Sequence, residues 1–274
     1  MRRKLKTLAI ELESQGISVF RRLAYLAARD ITDEIAGGPI LVVAPHPDDE
    51  TLGCGATILR ARDRGQRVQV VIVTDGQASH HSAWFTRDQL VALRQAEAIA
   101  ACERLGVAAH DVIFLGYPDG EAQRHLEEGR RAIKAVADAL APGLILYSSA
   151  LDSHPDHRAV AAMVEPLAYD APAGRRVLGY PVWFWRLRTW FKLGQMLRGL
   201  GQVSIVRVST GDLIERKRLA LAAHRSQFEN LTGEPGWEVL RPSFARHFLG
   251  PNEVFFEPKA GRSPPAPNSA ATGS

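Results

Sequence analysis

The chain has 274 residues, of which 46% are hydrophobic and 23% are charged, close to the average of folded domains. This composition excludes a wholly disordered chain, a collagen-like chain and a coiled coil. The 34 basic and 30 acidic side chains leave a net charge of +4, which is too small an excess to indicate a nucleic-acid-binding protein by itself. The length suits one large α/β domain.

The first 36 residues are predicted to form a helical extension, because arginines lie between apolar residues at helical spacing. We find no signal-peptide pattern and no apolar stretch of 18 residues in the chain. Cys54 and Cys102 have no CxxC spacing, which favours a reducing compartment. We therefore expect a cytoplasmic protein, and a peripheral membrane contact through the extension is the alternative.

Strand and helix patterns alternate from residue 39 onwards. The predicted elements are strand Ile40–Ala44, helix Thr51–Arg64, strand Val68–Thr74, helix Arg87–Leu105, strand Val112–Leu115, helix 121–140, strand Leu144–Tyr147, helix His157–Leu167, strands near 177–185 and 203–208, and helix 213–228. Crossovers of this length join parallel strands. The pattern predicts a Rossmann-like, open, mostly parallel sheet with helices on both faces, within a domain over 37–259. The tail over 260–274 has the composition of a disordered segment.

Two clusters of histidine and aspartate follow strands that this fold places side by side. The segment 45–50 (PHPDDE) follows the first strand, and 152–158 (DSHPDHR) follows the fourth. In a sheet of order 3-2-1-4-5-6, strands 1 and 4 flank the point where the winding reverses, and ligands bind beyond their carboxyl ends. We therefore predict that the two clusters face each other.

The residue types in these clusters favour a metal-dependent hydrolase. Two histidines and one carboxylate are typical of a catalytic zinc site, and His46, Asp49 and His157 are one set that can converge. A carboxylate beside the site can act as general base, and a histidine held by Asp156 can act as acid or stabilise an oxyanion. This leaves Asp48 and His154 for those tasks.

Two other interpretations of the clusters were weighed. Each cluster alone is also typical of a turn with a helix cap, since Asp and Pro favour both positions. A nucleotide-binding turn is disfavoured because Gly53–Ile58 lacks the third glycine of GxGxxG and lies inside the predicted helix.

At these segments the chain resembles the PIG-L or LmbE-like family of zinc-dependent N-acetylglucosamine deacetylases. The family hallmarks are an (A/P)HPDDE segment and an HxDH segment, and both are complete here at Pro45–Glu50 and His154–His157. The resemblance spans roughly residues 39 to 230. Further matching positions are Gly53, Gly55, Thr74–Gly76, Arg94, Glu97, Gly116–Gly120, Lys217 and His224–Gln227. Some members have a tyrosine two residues before the first histidine of the second segment, where this chain has Asp152.

The resemblance implies a role for each matching residue. Zinc would be bound by His46, Asp49 and His157, and iron(II) is an alternative ion for such ligands. Asp48 would be the general base, and His154, oriented by Asp156, would be the general acid or oxyanion stabiliser. Arg94 and Asp119 match positions that hold the sugar hydroxyls. The implied reaction is hydrolysis of the acetamide of an N-acetyl amino sugar or its conjugate, which releases acetate.

Two alternatives to the deacetylase stay open. One is an amidase that removes a larger acyl group from an amino-sugar conjugate, and the other is a non-catalytic carbohydrate-binding module. The aromatic and basic stretch 180–192 is consistent with a sugar-stacking surface, a membrane contact or an ordinary core strand. No nucleic-acid partner is expected, because no RNA- or DNA-binding signature is present.

Overall fold

A computed structural model describes residues 22, 24–35, 37–169, 175–185, 198–235, 237 and 240–259. Most of the predicted N-terminal extension, the predicted tail and residues 186–192 of the aromatic stretch lie outside these residues. No helix in the described part of the chain has both the length and the hydropathy that a membrane span needs.

The secondary structure follows the predicted alternation over most of the chain. The strands are β1 Arg29–Asp30, β2 Ile40–Ala44, β3 Val68–Thr74, β4 Val112–Tyr117, β5 Leu144–Ser148, β6 Arg176–Tyr180, β7 Val203–Ser209 and β8 Asn252–Pro258. The helices are α1 Asp49–Asp63, α2 Arg87–Arg104, α3 Leu126–Leu140, α4 Pro155–Val164, α5 Pro166–Tyr169, α6 Ile214–Leu221, α7 Arg225–Phe228 and α8 Pro242–Ala245. Short 3₁₀ helices cover Ala109–Asp111, Ala122–His125, Trp183–Trp185 and Gly211–Leu213.

Within the described residues, the strands form one sheet of order β1-β7-β8-β6-β5-β2-β3-β4. The run β4-β3-β2-β5-β6 is parallel throughout and matches the predicted order of a doubly wound sheet. The predicted fold class is therefore confirmed. Strands β2 and β5 are neighbours, as the argument about the two clusters required.

The sheet is covered on both faces by apolar side chains. Alternate residues of a strand point to opposite faces, so Ile40 and Val42 of β2 pack into one core cluster while Leu41 and Val43 pack into the other. Strand β2 is fully buried for this reason. It gives the first histidine–aspartate loop a rigid base.

The structure differs from the prediction at two predicted elements and at one strand that was not predicted. The predicted strand 177–185 ends at Tyr180, because Pro181 has no N–H for the ladder, and Trp183–Trp185 forms a 3₁₀ turn instead. The predicted helix 213–228 is divided into α6 and α7 at His224, whose ψ of 57° is not helical. Strand β8 was not predicted, and it runs antiparallel between β6 and β7.

The end of the predicted helical extension also differs. Residues 24–27 are helical, but Arg29 and Asp30 pair with β7 as an edge strand. This part of the extension therefore belongs to the sheet.

Candidate metal and catalytic site

The two histidine–aspartate clusters lie at the carboxyl ends of β2 and β5. These strands pair from Ile40 opposite Leu144 to Val43 opposite Tyr147, so the loops that leave them begin side by side. We call residues 45–50 the first motif loop and residues 152–157 the second motif loop. The residues predicted from the two loops therefore meet at the point where the winding of the sheet reverses.

Of the three predicted metal ligands, Asp49 contacts both histidines. Oδ2 of Asp49 lies 3.1 Å from Nδ1 of His46 and 3.2 Å from Nε2 of His157. All three residues are buried. The second motif loop therefore brings His157 to the carboxylate that begins α1.

The donor set is suited to a divalent cation. Nε2 of His157 is buried and makes no hydrogen bond within the described residues, although it faces the Asp49 carboxylate. Such an orphaned nitrogen is expected of a metal ligand, since buried polar atoms are otherwise almost always hydrogen-bonded. Donor atoms of His46, His154 and His157 lie within 4.8 Å of one another, and so do those of His46, Asp119 and Asp156. The residues present fit a metal ion.

The charges of these groups reinforce one another. Burial lowers the pKa of His157, but Asp49 and Asp152 outweigh it and raise the pKa to about 9. Burial raises the pKa of Asp49, but His157 and His46 hold it well below its usual range. The histidines and carboxylates of the site therefore stabilise one another in their charged forms.

Asp48 has a strained backbone and a perturbed carboxyl group. Its φ is 143°, a region that residues with a Cβ rarely adopt, and such strain concentrates at functional sites. Burial raises the pKa of Asp48 to about 7, against the opposing effect of Arg94. A carboxylate with such a pKa is suited to accept a proton near neutral pH.

Arg94 of α2 is hydrogen-bonded to this strained segment. Its guanidinium donates to the Pro47 carbonyl at 2.6 Å, to Oδ2 of Asp48 at 3.2 Å and to the Gly76 carbonyl at 3.2 Å. The side chain is only 3% exposed. Arg94 therefore contacts the predicted base, and its role in sugar binding stays a prediction.

Glu50 binds the backbone of Asp48. Its Oε2 accepts the Asp48 N–H at 3.1 Å, and its Oε1 accepts the Thr51 hydroxyl at 2.6 Å and lies 3.4 Å from Nε2 of His224. Glu50 and His224 are both fully buried. The last residue of PHPDDE thus fixes the backbone of the predicted base.

Helix α1 is kinked just after the first motif loop. Cys54 has non-helical angles, and a Cβ on Gly53 would lie 2.2 Å from the ring of Tyr180. The backbone groups freed by the kink are bound by a buried ion pair: Lys217 donates to the Leu52 carbonyl, and Glu253 accepts the N–H groups of 56 and 57. Nζ of Lys217 also lies 2.7 Å from Oε1 of Glu253.

His154 and Asp156 are brought to the site, but their contact differs from the predicted one. The backbone N–H of Asp156 donates to Nδ1 of His154 at 3.3 Å. The Asp156 carboxylate instead accepts from Gly120 and Ala122 and lies 3.1 Å from Nε2 of His46. Because Nδ1 accepts this bond, neutral His154 carries its proton on Nε2.

The ionisation of His154 also has a structural cause. Burial and the neighbouring imidazole groups of His46 and His157 lower the pKa of His154 to about 4. The ring of His46 lies edge-on to that of His154, with centroids 4.8 Å apart. His154 is therefore neutral near pH 7 in the metal-free site.

Asp119 lies at the same site, on the loop after β4. Its Oδ1 is 3.2 Å from Nε2 of His46, and its Oδ2 accepts the Ala78 N–H at 3.2 Å. Burial raises its pKa, but His46 outweighs this effect and lowers it to about 2. Asp119 is ionised and close to the donor cluster.

Sequence reasoning missed several residues that build the site. Asp152 contacts His157, and from the sequence it was placed in the second cluster and noted as a departure from the family pattern, without being given a role. The spacing of Asp152, five residues before a predicted ligand, was a usable signal. Glu253 gave no local signal, because its partners lie up to 197 residues away.

An aromatic wall flanks the second motif loop. The ring of Trp183 lies 6.3 Å from that of His154 and stacks on Phe244 at 4.9 Å. This places the beginning of the predicted aromatic stretch beside the site. A substrate group that reaches His154 would meet an apolar surface there.

The sequence was compared with models of known protein families, and one of them matches the part of the chain that contains this site. The profile of the family described as PIG-L, GlcNAc-PI de-N-acetylase, matches residues 41–168. Residues 41–168 of this chain are thus similar to that family. The match includes both motif loops and Arg94, whereas Lys217, His224 and Glu253 lie beyond it.

Curated relatives of this chain are named as deacetylases. A probable N-acetyl-alpha-D-glucosaminyl L-malate deacetylase 2 of Bacillus anthracis is 29% identical over 194 residues, which cover 69% of this chain and 81% of that protein. A diacetylchitobiose deacetylase of Thermococcus kodakarensis is 27% identical over 219 residues, covering 74% and 73%.

A solved structure shares the fold. The N,N'-diacetylchitobiose deacetylase from Pyrococcus horikoshii superposes with a TM-score of 0.61 at 24% identity, over 80% of this chain and 83% of that one. At this identity the likeness establishes the α/β fold and leaves the chemistry to the site residues.

Proposed function

We propose that this protein is a metal-dependent hydrolase that removes the N-acetyl group from an N-acetylglucosamine-type amino sugar and releases acetate. The observation that carries the proposal is the contact of Asp49 with both His46 and His157, beside a buried Asp48 whose pKa is raised to about 7. The named activities of the PIG-L relatives support it.

We assign the metal site to His46, Asp49 and His157, with zinc as the expected ion and iron(II) as the alternative. A divalent cation held there would polarise the amide carbonyl and lower the pKa of a water molecule. The unpartnered Nε2 of His157 supports this ligand set.

Asp48 is the proposed general base. Its carboxylate takes a proton from the attacking water, whose oxygen bonds to the acetyl carbon. Arg94 and Glu50 hold the carboxylate at the strained turn, so its position is set before the substrate arrives.

His154 is the proposed oxyanion stabiliser. Its Nε2–H is a donor, because Nδ1 accepts from the Asp156 backbone. As the C–N bond breaks, the protonated Asp48 returns its proton to the leaving nitrogen. The products are acetate and a free amino sugar.

Asp119 and Arg94 are the proposed contacts for sugar hydroxyls. Asp119 is ionised and lies beside the donor cluster, which supports its role as an acceptor. The two bonds of Arg94 to the first motif loop and its third bond, to the Gly76 carbonyl, support a second role, positioning Asp48.

An amidase for a larger acyl group is the second candidate. The aromatic pair Trp183 and Phe244 next to His154 favours it, because an alkyl or aryl acyl group would gain apolar contacts there. The length of the acyl group that is hydrolysed fastest separates the two reactions.

The testing experiment measures acid release and bound metal in the same samples. The substrates are free, nucleotide-linked, inositol-linked and lipid-linked N-acetylglucosamine, each also prepared with butanoyl and octanoyl groups. The variants are Asp48→Asn, His157→Ala and the control Asp111→Asn, whose carboxylate binds Arg67 at the opposite end of the sheet.

We expect Asp48→Asn to keep its metal and lose turnover by about 10³-fold. His157→Ala should lose both metal and turnover, and Asp111→Asn should behave as the unmodified protein. Faster release of octanoate than of acetate would assign the protein to the amidase. Stoichiometric metal without any acid release would favour the binding module, and failure to bind metal would overturn the proposal.

A further inference from the structure

Asp152 begins the second motif loop and has no side-chain exposure. Its Oδ2 lies 3.2 Å from Nδ1 of His157 and accepts the backbone N–H groups of Val182 and Trp183, each at 2.9 Å. Its Oδ1 accepts the Ser153 N–H at 2.6 Å. The His154 N–H also donates to Oδ1 at 3.5 Å, so five donors converge on one buried carboxylate.

This arrangement determines which nitrogen of His157 carries the proton. Oδ2 of Asp152 already accepts two backbone N–H groups, so this oxygen acts as an acceptor toward Nδ1 as well. An ionised carboxylate can only accept, so the neutral imidazole must place its hydrogen on Nδ1. The lone pair is then on Nε2, the atom that faces Asp49 and has no hydrogen-bond partner.

The same carboxylate also fixes the chain beyond β6. Pro181 ends that strand, and the two N–H groups that follow it both donate to Asp152. The Ser153 hydroxyl donates to the Trp183 carbonyl at 3.3 Å. His157 and the backbone of Trp183 are thus held by one group.

We propose that Asp152 is a positioning residue that holds His157 in its Nδ1–H form, with Nε2 directed to the metal, and ties this ligand to the aromatic wall at Trp183. The inference rests on the proposed metal site and adds a residue outside the His154–His157 segment. A hydrogen-bonded carboxylate behind a metal-binding histidine raises its basicity, and removal of such a partner costs about 10- to 100-fold in metal affinity.

The test is the affinity of the full-length protein for Zn²⁺ and Co²⁺ alone, measured by competition with a chromophoric chelator. In Asp152→Asn the amide oxygen can still accept from Val182 and Trp183, but the negatively charged carboxylate that faces His157 is lost. The matched control is Asp111→Asn, a buried aspartate that binds Arg67 and Gln69 away from the site.

We expect Asp152→Asn to bind Zn²⁺ about 10- to 100-fold more weakly, with an altered Co²⁺ absorption spectrum, while the metal-free variant keeps its melting temperature. Asp111→Asn should leave the Zn²⁺ affinity unchanged. Unchanged Zn²⁺ affinity and Co²⁺ spectrum in Asp152→Asn would overturn the proposal.

A second measurement applies to the unmodified protein in case Asp152→Asn does not fold. Long-range ¹H–¹⁵N spectra of the zinc-loaded, histidine-labelled protein should show His157 protonated on Nδ1, with its signals assigned by their loss in His157→Gln. Protonation on Nε2 would contradict the proposal. Neither measurement uses a substrate, so tight zinc binding that depends on Asp152, without acetate release, would refute only the proposed hydrolysis.

Discussion

The first and second motif loops bring donors to the same site, but different kinds of contact hold them in place. The first loop is held by side chains remote in sequence, among them Arg94, which is 46 residues from Asp48. The second loop is held mainly by backbone groups, through Asp152 on the N–H groups of Val182 and Trp183, Asp156 on those of Gly120 and Ala122, and the Ser148 hydroxyl on the His157 carbonyl. The strained loop is therefore the one that depends on side chains from elsewhere in the fold.

The largest loss of stability is expected from breaking the buried ion pair of Lys217 and Glu253, which binds the backbone of α1 just after the first loop. Lys217→Met should destabilise the protein by about 3 to 5 kcal/mol, because Glu253 would stay buried without its cation. Urea unfolding gives the free energy. The double variant Lys217→Met/Glu253→Gln should recover part of the loss, and equal instability of single and double variants would show that the charge imbalance is not the cause.

A smaller effect, on the rate of hydrolysis, is expected from replacing Arg94, whose guanidinium contacts Asp48. Arg94→Lys cannot reach Pro47, Gly76 and Asp48 at once, since an ammonium lacks the planar fork of guanidinium. We expect kcat for acetate release to fall about 10²-fold with the metal content unchanged. The control Arg67→Lys changes an arginine that pairs with Asp111 away from the site. Equal kcat in both variants would remove Arg94 from the positioning of the base.

The backbone strain itself can be measured by glycine and asparagine replacements. Both Asp48→Gly and Asp48→Asn remove the charge, but glycine accepts the φ of 143° without cost, so it should be more stable by about 1 kcal/mol. At His154, whose φ of −77° is ordinary, glycine should give no gain over asparagine. The same advantage for glycine at both positions would mean that the two loops do not differ in strain.

The smallest effect concerns Glu165 at the end of α4, the helix that carries the second loop. Burial raises the pKa of Glu165 above its usual 4.5, against the opposing hydrogen bond from Tyr147. The folded state therefore favours the protonated carboxyl, and its contribution to stability is lost as the pH rises through the raised pKa. Glu165→Gln should gain stability relative to the unmodified protein between pH 4 and pH 7 in urea unfolding. The exposed control Glu127→Gln should not.

These contrasts explain which parts of the molecule could be predicted from the sequence. The buried run Ile40–Ala44 and the crossover lengths were enough to predict that the two motif loops meet, because parallel strands leave few topologies. The contacts of Asp48 could not be predicted, because Arg94, which binds its carboxylate, is brought to it only by the fold. The same is true of His224, which lies beside Glu50. Strand β8 was missed because its short run joins the sheet antiparallel, between strands far from it in sequence.

The orientation of His154 shows the same limit at a smaller scale. The HPDH spacing indicated a histidine beside an aspartate, and the structure confirms that the two residues are adjacent. Whether the carboxylate or the backbone N–H of Asp156 makes the bond depends on where β4 ends, because Gly120 and Ala122 occupy the carboxylate. The spacing within a motif does not contain that information.

Glu253 lies near the end of the described chain, yet it binds the backbone of α1 near the beginning. During synthesis on the ribosome, the helix that starts with Asp49 must wait for roughly two hundred further residues before its kink acquires an acceptor. A nascent chain that ends before β8 would leave Lys217 and the N–H groups of Ala56 and Thr57 without this partner. The first motif loop would thus be among the first segments of the site to be translated and among the last to reach its final form, which ties assembly of the candidate site to synthesis of β8.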